Sequence, residues 1–71
     1  MKLTYQEAKD RFWANLFSRA KDKNEAFKVA QLIADKQSAW SASEMTLEQF
    51  EEGSNMLNNF SNLLKELHEN E

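Results

Sequence analysis

The sequence predicts an all-α fold, a small three-helix bundle, on three observations. First, its 71 residues contain no Pro, no Cys and a single Gly, and its β-branched residues are Thr4, Val29, Ile33 and Thr46. That composition leaves little material for strands or tight β-turns. Second, two capping-box patterns mark helix starts: Thr4 with Glu7, and Thr46 with Gln49. Third, Phe50, Gly53, Leu57, Phe60, Leu64 and Leu67 recur at spacings of three and four. Such spacing lays an apolar stripe along one face of a helix that packs against others.

Each element follows in order. Thr4 caps a first helix expected over 5–21, with Leu3 stapled against Ala8. Its apolar face comprises Tyr5, Ala8, Phe12, Trp13, Leu16 and Ala20, with Phe17 on the shoulder and Arg11, Asn15, Ser18 and Arg19 on the far side. Lys9 falls among the apolar positions, where its stem can lie along Trp13 with the ammonium in water. The polar stretch from Lys21 to Glu25 offers Asp22 and Asn24 as N-caps, so a turn is expected there. A second helix over 25–41 then carries Ala26, Val29, Ala30, Ile33 and Trp40 on one face. If the turn does not form, residues 5–41 make one long helix, and the alternative fold is a helical hairpin that dimerises into a four-helix bundle. Met45 and Phe50 staple the start of a third helix, expected over 47–68. Gly53 in its interior costs about 1 kcal/mol relative to Ala, and its place on the stripe suits close approach by another helix. The expected core is Phe12, Trp13, Leu16, Val29, Ile33, Trp40, Phe50, Leu57, Phe60, Leu64 and Leu67, in one domain spanning 1–71.

Composition also bounds the chemistry. Without cysteine there is no disulfide and no thiolate metal site, and one histidine, His68, cannot build a zinc site alone. No serine has a plausible base other than His68, and no Gly-rich loop is present to cradle a phosphate. Glu48, Glu51 and Glu52 sit where a helix N-terminus favours negative charge, so dipole matching accounts for them. No enzyme activity, cofactor or metal is therefore expected. No apolar stretch is long enough for a signal peptide or membrane span, and the expectation is a cytoplasmic protein without a membrane partner.

The net charge of −3 conceals an asymmetry: residues 1–36 hold eight basic against five acidic side chains, and residues 37–71 hold one against seven. The third helix carries Asn55, Asn58, Asn59 and Asn62 opposite its apolar stripe. Each is a weaker helix former than Ala, Lys or Glu, so stability alone does not select them. With Glu48 and Glu51 they form the candidate partner-binding set. The expected function is a non-enzymatic protein-binding regulator or adaptor. One alternative is an inhibitor that covers a nucleic-acid-handling protein through the acidic C-terminal helix. The other is a small DNA- or RNA-binding protein that uses Arg11, Arg19, Lys21 and Lys23. A sequence pI near 5.1 weighs against direct nucleic-acid binding. Self-association is a further expectation, because Phe17, Phe27, Leu32, Met56 and Leu63 lie outside the main seams and a chain this short gains from a second copy.

Overall fold

Both capping boxes form, and they set where the bundle begins. In the computed structural model, which describes residues 3–69, helix α1 spans Tyr5–Arg19. The Thr4 hydroxyl accepts the Glu7 backbone N–H at 3.2 Å, and the Glu7 carboxylate accepts the Thr4 backbone N–H at 3.1 Å. The bond from the Thr4 backbone, then that from its side chain, then the charge of Arg11 hold the Glu7 carboxyl below its ordinary 4.5; the slight burial opposes them. The chain leaves α1 in extended conformation at Ala20, and the Asp22 side chain accepts the Glu25 N–H at 2.8 Å to start α2, Lys23–Lys36. Three residues thus reverse the chain without Gly or Pro. This break overturns the alternative of one long helix over 5–41.

Helix α2 ends five residues earlier than expected, at Lys36, and the reason is a Schellman cap. Ser38 adopts a left-handed conformation (φ 59°), the Ala39 N–H donates to the Ala34 carbonyl at 2.9 Å, and the Ser38 N–H donates to the Asp35 carbonyl at 3.1 Å. The helical period that aligned Trp40 with Ile33 stops there. Trp40 is consequently not a core residue: it stands 88% exposed on the connection to the next helix. A 3₁₀ turn at Ala42–Glu44 returns the chain to Thr46, whose capping box with Gln49 opens α3, Leu47–Met56. Gln37 and Gln49 bind the two helix ends reciprocally. The Gln37 amide donates to the Gln49 carbonyl at 3.0 Å, and the Gln49 amide donates to the Gln37 carbonyl at 3.1 Å.

The third helix is continuous in handedness but not in pitch. A 3₁₀ turn at Leu57–Asn59 joins α3 to α4, Phe60–Glu69, with right-handed dihedrals on both sides. A 3₁₀ residue turns the chain by about 120° against about 100° in an α-helix, so three of them advance the face by about 60°. The seam shifts accordingly. Leu63, outside the expected stripe, is buried, while Phe60, Leu64 and Leu67 are half-buried along its edges. Asn58 and Asn59 lie in this turn, where weak α-helix formers cost least.

The core joins Phe12, Leu16, Val29, Ile33, Met45, Phe50 and Leu57, all fully buried; Trp13 packs on its edge. Helix α1 packs chiefly on α3, and α2 on α4, where Lys36 and Glu66 pair at 2.7 Å. Tyr5 meets Phe50, and farther along both helices Phe12 faces Gly53, so α1 and α3 run parallel. A Cβ on Gly53 would come within 2.8 Å of the Phe12 ring and 3.2 Å of the Ile33 methyl. Gly53 thus lies where α3 closely approaches both α1 and α2, and a side chain there would push them apart. No helix of the described residues is long and apolar enough to cross a membrane.

Candidate interaction surface

Helix α1 has two flanks, because residues two apart in an α-helix point about 200° from each other. Phe12 directs the ridge toward the core. Arg11 and Asn15 fall to one side of it, Trp13 and Phe17 to the other.

The first flank forms an open groove of about 270 Å³ with α3, floored by Leu3 and Ala8 and walled by Arg11, Asn15, Glu51, Ser54 and Asn55. This groove brings together two residues of the expected protein-binding set, Glu51 and Asn55, with Arg11 of the nucleic-acid set. The remaining members do not join them. Glu48 is exposed in the first turn of α3, Asn58 and Asn59 occupy the 3₁₀ turn, and Asn62 is exposed on α4. Arg19, Lys21 and Lys23 lie at the α1–α2 turn, and the eight helical steps from Arg11 put Arg19 about 12 Å along the helix from it. The two chemistries in one groove therefore offset each other's charge. A second cleft, where Lys21 and Lys28 face Leu67 and His68, also contains Asp22 and Glu25 and is similarly mixed.

The other flank is apolar and exposed. Trp13 stacks on Phe17 with ring centroids 5.7 Å apart at 28°, and both meet Phe27 of α2 edge-on, at 5.9 Å and 70° for Trp13 and at 6.3 Å and 81° for Phe17. Trp13 in turn meets the buried Phe12 ring at 5.4 Å and 79°, which anchors the group to the core. Phe17 remains 45% exposed and Phe27 53%. Sequence reasoning placed Phe17 on a shoulder and Phe27 off its main face. It missed that the α1–α2 turn joins them into one triangle, since that depends on how the two helices rotate against each other. Of the other residues expected to seek a second copy, Leu63 is buried and Leu32 and Met56 are half-buried against the core.

Charges of both signs flank this triangle in the sequence. Lys9 precedes Trp13 by one turn, Lys23 precedes Phe27 by one turn, and Lys21 lies in the connection between them. None of the three joins an ion pair among the described residues. The nearby carboxylates are engaged locally. Asp10 accepts from the Gln6 amide at 2.8 Å, Asp22 accepts the Glu25 N–H, and Glu25 accepts the Lys21 N–H at 3.1 Å. Among the described residues no group of three or more His, Cys, Asp and Glu is placed to hold a metal. Comparison of the chain with protein-family models, with curated proteins and with solved structures returns no match.

Proposed function

We propose that this chain is a small non-enzymatic protein–protein interaction module, a regulator or adaptor, whose docking surface is Trp13, Phe17 and Phe27. One observation carries the reading: two phenylalanines stand about half exposed beside a tryptophan on a rigid helical pair. Aromatic rings bring large contact area at low conformational cost and dominate protein-binding hot spots. The half of each ring that faces water adds nothing to the stability of a 71-residue domain. The groove on the opposite flank carries solvated polar groups that need no partner, so it ranks below the triangle.

The acidic helix remains a second reading, as an inhibitor of a nucleic-acid-handling protein, because Glu48, Glu51, Asn55, Asn58, Asn59 and Asn62 are all exposed. Affinity purification from the host separates the two. Proteins captured by the wild type are expected to be lost with a Phe17→Ser, Phe27→Ser variant and retained with an Asn58→Ala, Asn62→Ala variant. The reverse pattern would transfer the function to the acidic helix. Retention by both variants would refute both surfaces.

A further inference from the structure

The helices of the bundle are not held equally. Helices α1, α2 and α3 each begin at a side-chain cap, on Thr4, Asp22 and Thr46, and each buries at least two residues in the core. The end of α2 is further tied to the start of α3 by the reciprocal Gln37 and Gln49 hydrogen bonds. Helix α4 has none of these supports. It is entered through the Leu57–Asn59 turn, which has no side-chain cap, and among the described residues Leu63 is the one that it buries. Phe60, Leu64 and Leu67 are only half-buried. The Lys36–Glu66 pair that fastens α4 to α2 has side chains 36% and 43% exposed, where water screens it.

We propose that α4 is a latch, which leaves α2 as one unit by local unfolding from Phe60 onward while α1, α2 and α3 stay folded. A free helix of ten residues is too short to sustain itself in water, so undocking and melting are a single event. Release bares Leu63, its half-buried neighbours and the side of α2 that they cover. That side is not the aromatic one. Lys36 follows Phe27 by nine residues, about 900° of helical rotation, which sets the two on opposite sides of α2. Opening therefore leaves Trp13, Phe17 and Phe27 packed as they are, and the latch does not depend on those rings being a docking surface. One apolar surface beside α2 stands always in water; water reaches the other only when α4 opens.

Native-state hydrogen exchange of the full chain, read by nuclear magnetic resonance over a urea series, tests the latch. The backbone amides of Leu64, Lys65 and Glu66 should share one protection factor, at least tenfold below that of the Leu16 and Ile33 amides, and should respond less steeply to urea because less surface opens. An Ala8→Gly variant adds a second reading. Ala8 is buried in α1 and is present in both the latched and the unlatched forms. Its loss should lower protection at Leu16 and Ile33 about fivefold and leave the α4 amides unchanged. Equal protection and equal urea dependence of α4 and the core would overturn the inference. So would a graded decline from Phe60 toward Glu69 without a common value, which is fraying of a helix end, or α4 amides that fall in step with the core in Ala8→Gly. Should Ala8→Gly fail to fold, the wild-type exchange pattern decides alone. None of these outcomes bears on host capture through Phe17 and Phe27.

Discussion

The two flanks of α1 rest on the same buried ridge of Ala8, Phe12 and Leu16, yet they meet water differently. On one side Arg11 and Asn15 face Glu51 and Asn55 across an open groove, and every group there is stable hydrated. On the other side Phe17 and Phe27 hold apolar surface in water beside Trp13. Polar residues in a surface crevice are what folding alone produces. Exposed aromatic rings locked against one another are not, and the difference directs attention to the α1–α2 face.

The comparison can be broken from its shared ridge outward. Phe12→Ala should cost about 3–5 kcal/mol, because it empties the contact between α1, Phe50 and Gly53 and removes support from both flanks. Loss of the cooperative melting transition would show this; a parental melt would mean that the ridge does not organise the fold. Gly53→Ala should cost about 1–2 kcal/mol net, since crowding of the Phe12 ring exceeds the gain in helix propensity. Urea denaturation giving a stabilised variant would contradict the close approach of α1 and α3. In the opposite direction, Ser38→Gly should stabilise by about 1 kcal/mol by relieving a left-handed residue.

On the flanks themselves the effects on stability are smaller and unequal. Phe27→Ser should cost about 1 kcal/mol through its lost ring contacts, while Arg11→Ala and Asn55→Ala should stay within about 0.5 kcal/mol of the parent. The smallest expected effect is pH dependence at the start of α1. Glu7 has a lowered pKa in the folded chain, so its contribution is present above the ordinary value of 4.5 and is lost as pH falls through the folded value. The melting difference between wild type and Glu7→Gln should therefore narrow on going from pH 7 to pH 3. A constant difference would show that the capping carboxylate is not the cause.

Local signals account for what was legible in the sequence. Thr4 with Glu7, Asp22, and Thr46 with Gln49 are short-range hydrogen-bonding patterns, and each starts a helix in the structure. The end of α2 was not legible, because a serine in the left-handed region has no distinctive mark where glycine would have. Trp40 was misplaced as a result. Leu63 was misplaced by a change of helical pitch at Leu57–Asn59, to which a fixed 3.6-residue period is blind. The expected protein-binding residues all lie on the third helix and the expected nucleic-acid-binding residues are all basic side chains of the first half, whereas the aromatic triangle needs two helices docked at a particular rotation. Pairing Phe17 with Phe27 across the predicted turn was the available clue.

The most direct test of the account is a nuclear magnetic resonance footprint of the protein with its captured partner. Shifts and intermolecular contacts should concentrate on the rings of Trp13, Phe17 and Phe27, while the side chains of Arg11, Asn15, Glu51 and Asn55 stay at their free positions. A footprint centred on the α1–α3 groove or on Asn58 and Asn62, with the three rings unperturbed, would contradict it.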